Sequence, residues 1–117
     1  MSIYSELILD HYQHPNNFGG LKKYSKKTMV NNPLCGDRIE MFIVFDNDKI
    51  KDIKFLSKAC AISTASASML TEIVKGKTKH ELKNIDRKFI IKMLGFELGV
   101  NRIKCAMLPV EALKKLI

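Results

Sequence analysis

The sequence predicts an α+β fold: a small antiparallel three-stranded sheet with helices packed on one face, the N-terminal helix coming first. Three observations predict it. Apolar residues recur at helical spacing at both ends of the chain, a β-branched and aromatic run folds back on itself around a turn in the middle, and the pattern switches to small apolar residues after Cys60.

Each element follows in order. Ile3, Leu7, Ile8 and Tyr12 repeat at helical spacing until His14-Pro15-Asn16-Asn17 and Gly19-Gly20 stop the pattern, giving a short first helix. Ile39 to Phe45 reads as a strand, Asp46-Asn47-Asp48 as a turn and Ile50 to Leu56 as the returning strand, with a further strand near Tyr24 to Val30. A helix begins near Ser63, carries Ala65, Ala67, Met69, Leu70, Ile73 and Val74, and ends at Gly76. His80 to Leu98 contains one or two shorter helices, with Ile90, Ile91 and Leu94 as core candidates and Gly95 and Gly99 as breaks. Met107 to Ile117 reads as a terminal helix in which Pro109 occupies the first turn, where its missing N–H costs nothing.

With 117 residues, 46% of them hydrophobic, the chain can close one core without staples, and no linker or repeat divides it; a single domain over residues 1–117 is expected. Three cysteines and an N-terminus without a basic, apolar leader point to reduced thiols in the cytoplasm. No run approaches the roughly 18 apolar residues of a membrane span. The net charge of +8 invites a nucleic-acid reading, but the lysines are scattered in pairs, only Arg38, Arg87 and Arg102 carry guanidinium groups, and no basic-aromatic platform is present. A solvated lysine-rich surface is the expectation, with no specific nucleic-acid partner, and an acidic protein partner is compatible with it.

The chemistry points to the cysteines. Cys35, Cys60 and Cys105 lie too far apart for a local C-x-x-C zinc motif, so their contexts must carry the argument. Cys60 and Cys105 are expected just before helices, whose positive ends favour a thiolate. In Asn32-Pro33-Leu34-Cys35-Gly36-Asp37, a thiol and a carboxylate stand two residues apart in a turn where Gly36 permits an unusual backbone angle. Three thiolates and one carboxylate suit zinc, or the iron of a [2Fe-2S] cluster. Clusters normally take four thiolates, and an oxygen ligand in the fourth place fits a cluster that must leave. A single buried cysteine is more often an ordinary small hydrophobe. The polar or small flanks of Cys35 and Cys60, and the lack of cysteine in the apolar segments, favour a shared site instead.

Together these motifs resemble the IscU/NifU/SufU-type iron-sulfur cluster assembly proteins over nearly the whole chain. Tyr4-Ser5, Asp10-His11-Tyr12 and Pro15-Asn16-Asn17 are similar to the family's first helix. Asn32 to Asp37 matches its N-P-x-C-G-D signature, Ala59-Cys60-Ala61-Ile62-Ser63 with Ala65 to Ser68 resembles the second motif, and Lys104-Cys105-Ala106-Met107-Leu108 the third. The resemblance implies a scaffold or a sulfur carrier with a sulfurtransferase-like role, rather than an enzyme, the alternative being a SufU-like zinc-dependent sulfur shuttle. On the scaffold, Cys35, Asp37, Cys60 and Cys105 would hold a transient [2Fe-2S] cluster or iron, with zinc as the alternative occupant, and Asp37 would keep the cluster labile. Sulfur would arrive as persulfide from a cysteine desulfurase, Cys105 would receive it, and iron-sulfur acceptor proteins would take the product.

Two departures separate the branches of that family. Lys104 stands where the scaffold branch has His, and Leu98-Gly99-Val100-Asn101-Arg102 replaces the Leu-Pro-Pro-Val-Lys segment read by an Hsp70-type chaperone, so release by that route is not expected. Lys104 and the run Ile62 to Leu70 resemble the SufU branch, in which zinc is exchanged with the desulfurase. Yet the interval from Gly76 to Cys105 is too short for that branch's usual insertion. Of the remaining candidates, His11 and His14 read as a polar helix end, Tyr4 as either a desulfurase or dimer contact or a helix staple, and Met29, Met41, Met69, Met93 and Met107 as core filler. His80 has no distinguishing context.

Overall fold

A computed structural model describes residues 3–33, 36–95 and 97–117, with side chains from Glu6 onward. The candidate ligand Cys35 and the side chains of Ile3 and Tyr4 therefore lie outside what is described.

The first element is helix α1, Ile3–Gln13. It is followed by strands β1 (Lys26–Asn31), β2 (Arg38–Asp46) and β3 (Lys49–Lys58), which pair antiparallel in the order β1-β2-β3. The β2–β3 hairpin turns at Asn47, whose φ of 58° is one that Asn tolerates better than most residues. Register pairs Met41 with Phe55 and Ile43 with Ile53, and these four, with Ile39, are wholly buried on one face of the sheet. Burying a side chain as large as Phe55 contributes about 1.5–3 kcal/mol. Helix α2 (Ala61–Val74) and the last helix cover that face; α3 (Lys79–Leu82) and α4 (Arg87–Leu94) lie between them in the chain. The sheet with helices on one face is the architecture the sequence predicts.

Helix α2 is the centre of the packing. Residues Ile62 to Thr71 are all buried, which explains the run of Ala, Ser and Thr: α1, α5 and the sheet close on it from three sides, and only small side chains fit. Gly76, at φ 82°, terminates it as expected. Gly95, at φ 87°, ends α4 in the same way, and Asp86 caps the start of α4 by accepting the Phe89 amide.

Four expectations are corrected. The last helix, α5, runs Val100–Lys115, so it starts seven residues before the expected Met107 and Pro109 lies inside it. In α1 only Ile8 is buried among the described side chains, while Leu7 and Tyr12 are 37% and 45% exposed; α2 meets His11 of α1 with Ser68, and the Asn16-Asn17 segment after it with Ser68, Thr71 and Glu72. Ile91 is only partly buried, the core face of α4 being Ile90 and Leu94. Met29 is 54% exposed on the outer face of edge strand β1, whereas Met41 and Met69 do fill the core.

Candidate metal and sulfur site

Asp37 sits at the end of the β1–β2 connection. That loop closes on itself: the Gly36 amide donates to the Asn32 carbonyl and the Asn32 amide to the Asp37 carbonyl, both at 2.8 Å. Gly36 has the unusual angle expected of it, φ 75°, with open space around its Cα. The glycine therefore serves the backbone conformation and not a close approach.

Cys60 is the N-cap of α2, as the sequence predicts, with extended backbone at φ −67° and ψ 171° and no side-chain cap of its own. Asp37 supplies one from across the loop. Its Oδ1 accepts the Cys60 amide at 3.2 Å and its Oδ2 accepts the Ser63 hydroxyl at 2.9 Å, so a buried carboxylate faces the positive end of the helix.

Cys105 is displaced from its expected position. It lies in the second turn of α5, not before the helix, so the argument from unpaired first-turn amides does not apply to it. The apolar pattern that carries the helix back to Gly99 includes Ile103 and Ala106, both buried. Pro109 is tolerated inside because its ordinary acceptor would be the Cys105 carbonyl, four residues earlier, and that carbonyl instead accepts the Ser63 hydroxyl at 2.8 Å. One turn along α2, Ser66 donates to the neighbouring Ala106 carbonyl, also at 2.8 Å. Two serines three residues apart thus dock α2 onto the proline turn of α5.

These contacts bring the ligand atoms of Asp37, Cys60 and Cys105 within 4.8 Å of one another, the one such group of metal-binding residue types among the described residues. Sulfur ligands about 2.3 Å from a tetrahedral ion stand about 3.8 Å apart. The donor types fit zinc or iron, and a spread of up to 4.8 Å has to shorten by about 1 Å to close on one ion. Cys60 is exposed and Cys105 half-buried. Lys104 is exposed beside them and borders a groove with Asn32, Pro33 and Leu108. His11 has a different use: its Nδ1 lies 2.7 Å from the Ser68 hydroxyl, joining α1 to α2.

Sequence reasoning gave Ser63 no role in the site: it appeared as a helix start and as the last residue of the Ala59 to Ser63 motif. The signal was Pro109 placed four residues after Cys105, which deprives that carbonyl of its helical donor.

Comparison with known proteins bears on the family. The model of the NifU-like N terminal domain matches residues 3–117. This chain belongs to that family. Among relatives of this NifU-like domain, iron-sulfur cluster assembly scaffold protein IscU 1 of Archaeoglobus fulgidus is 36% identical over 115 residues, covering 98% of this chain and 74% of its own. The zinc-dependent sulfurtransferase SufU of Bacillus subtilis is 38% identical over 131 residues, covering 97% and 88%. The second alignment is longer than the 117-residue chain, so the SufU protein carries residues this one lacks. Among solved structures, FiSufU of the SUF system from Fervidobacterium islandicum AW-1 superposes with a TM-score of 0.83 at 32% identity, covering 97% of this chain and 95% of that one. The solved SufU-named chain is therefore of nearly this length.

Proposed function

We propose that this NifU-like domain is an iron-sulfur cluster assembly scaffold that accepts sulfur from a cysteine desulfurase, combines it with iron as a transient [2Fe-2S] unit on Cys35, Asp37, Cys60 and Cys105, and passes it to acceptor proteins. The observation that carries the reading is the gathering of Asp37, Cys60 and Cys105 from three separated segments within 4.8 Å. Cys35 belongs to the set by its motif, two residues before Asp37. The relatives named as scaffolds support the assignment of the cargo.

Sulfur acceptance follows from thiolate exchange. The Cys105 thiolate attacks the outer sulfur of a persulfide on the donor; a new S–S bond forms on Cys105, the donor's S–S bond breaks, and the donor cysteine leaves as a thiolate. No external electrons are needed for that transfer, whereas turning each persulfide sulfur into cluster sulfide takes two electrons, which a reductant of the thiol class must supply. Asp37, the only oxygen ligand, is the weakest grip on iron and sets how readily the cargo leaves.

A second reading is favoured by Lys104, a charged ammonium where a histidine could otherwise ligate, and by the similarity to the zinc-dependent SufU protein. In it the same four residues hold zinc, which organises the thiols until the desulfurase exchanges it, and the protein is a sulfur shuttle.

Anaerobic incubation with a cysteine desulfurase, cysteine and iron separates the two. An oxygen-sensitive visible chromophore is expected of a scaffold; stoichiometric zinc with desulfurase stimulation and no chromophore supports the shuttle. Cys105→Ser is expected to abolish sulfur acceptance, while Cys60→Ser, at the more exposed thiol, retains it. If all three single Cys→Ser variants keep full metal binding and sulfur acceptance, both readings fail.

A further inference from the structure

Ser63 has no exposed surface, and its hydroxyl stands among three of the groups discussed above. It lies 2.9 Å from Asp37 Oδ2, 2.8 Å from the Cys105 carbonyl and 3.7 Å from Cys60 Sγ, which points its thiol at the serine oxygen. A hydroxyl has one hydrogen to give and can accept others. Here both Asp37 and the Cys105 carbonyl call on that single hydrogen, while the sulfur of Cys60 addresses the lone pairs. Ser63 therefore touches every described member of the site, one through its side-chain oxygen, one through its sulfur and one through its backbone.

We propose that Ser63 is a positioning residue of the metal and sulfur site, its buried hydroxyl setting the placement of Asp37 and Cys105 relative to Cys60. The inference rests on the functional reading above and adds to it the group that assembles the ligands. Pro109 removes the usual donor: without an amide at position 109 the Cys105 carbonyl lacks its ordinary helical partner, and the Ser63 hydroxyl bonds to the turn that carries the sulfur. Because one hydrogen serves two acceptors, a movement of Asp37 toward an ion is felt at the Cys105 turn, and the reverse. Hydrogen-bonding partners behind metal ligands commonly change affinity by about 10–100-fold when removed.

The test compares Ser63→Ala with Ser66→Ala in the full chain, since Ser66 makes the same kind of bond to the next carbonyl of α5, that of Ala106, which is not a ligand. Cobalt(II) absorption reports thiolate coordination and its geometry, zinc(II) affinity is read by chelator competition, and thermal melting of the metal-free proteins reports folding. Ser63→Ala is expected to bind zinc about 10–100-fold more weakly, with altered cobalt bands. Ser66→Ala is expected to lose thermal stability while keeping wild-type affinity and spectrum. Should Ser63→Ala not fold, the double variant Ser63→Ala/Pro109→Ala returns a backbone donor to the Cys105 carbonyl and still lacks the donor to Asp37; its affinity is expected to stay low. Wild-type affinity and bands in Ser63→Ala or in the double variant overturn the proposal and leave the functional reading intact, as does an equal loss of affinity in Ser66→Ala. A wild-type protein that binds neither ion through its thiols overturns both.

Discussion

Asp37 lies buried where β2 begins, and both of its carboxylate oxygens accept hydrogen bonds from the first turn of α2, so replacing it has a structural cost apart from any metal chemistry. Hydrogen bonds to a charged group contribute about 1.5–3 kcal/mol each, less where partners regain water. Asp37→Ala is expected to lower metal-free stability by about 1–3 kcal/mol in urea denaturation, and Asp37→Asn, which keeps an acceptor, by less. Unchanged stability in Asp37→Ala would contradict the capping role. The position of Asp37 beside a cysteine was legible from the Cys35-Gly36-Asp37 string, and Gly36 does adopt the positive φ anticipated for it. The hydrogen bonds to α2 were not legible, because nothing local relates Asp37 to a serine on another element.

At the scale of elements, α1 packs mainly against α2 and buries one apolar side chain among those described. That side chain is Ile8; His11 adds a polar contact to α2, and Asn16 and Asn17, in the segment after the helix, add others. Few buried apolar contacts mean a low cost of local opening. Amides of α1 are expected to exchange with deuterium well before those of α2, and His11→Ala to speed them further; equal protection of the two helices would show that α1 is held by more than these contacts. The short α3 depends on a capping box, in which Glu81 accepts the Thr78 amide and Thr78 accepts the Glu81 amide. Hydrogen bonding from the Thr78 amide is the main cause that lowers the Glu81 carboxyl from its ordinary 4.5, with the Thr78 hydroxyl and Lys77 assisting. A carboxyl lowered in the folded state stabilises above its unfolded value and loses that contribution as pH falls through the folded one. A carboxyl-carbon NMR titration of Glu81 should therefore have its midpoint below 4.5, and a midpoint at or above it would remove the box. The hairpin and α2 were visible in the sequence because their periods and stop residues are local. The start of α5 was misplaced because Pro109 ordinarily marks a first turn, and only a donor from another helix makes it acceptable inside one.

For the whole molecule, the candidate site ties the β1–β2 loop, the start of α2 and the second turn of α5, three segments that separate on unfolding. An ion held by all of them binds the folded chain more tightly than the unfolded one, whose separate thiols still offer it weaker ligands. At 100 times its dissociation constant such a ligand adds about 2.7 kcal/mol, a rise of more than about 10 °C in Tm for a domain of this size. Zinc(II) is expected to raise the melting temperature by that order in calorimetry, EDTA to reverse it, and Cys60→Ser to abolish it; no shift in the wild type would exclude a site joining the three segments. The surplus of 20 basic over 12 acidic side chains is carried at the surface, and no Lys or Arg is buried. Only three ion pairs form among the described residues, all between partly exposed groups. That is the solvated lysine surface composition suggests, and no helix among the described residues is long and apolar enough to cross a membrane.

By itself the sequence determined the fold class, the hairpin, the helix that follows Cys60, and the residue types able to hold a metal or carry sulfur. Those properties reside in short-range periodicity, turn chemistry and side-chain identity, which neighbouring residues express without help from the rest of the chain. Tertiary structure alone decided that Cys105 lies within a helix, that Asp37 caps α2, and that Ser63 stands among the ligands with Pro109 behind it. Those are matters of which donor reaches which acceptor across elements far apart in the chain, and packing supplies the partner that local sequence cannot name.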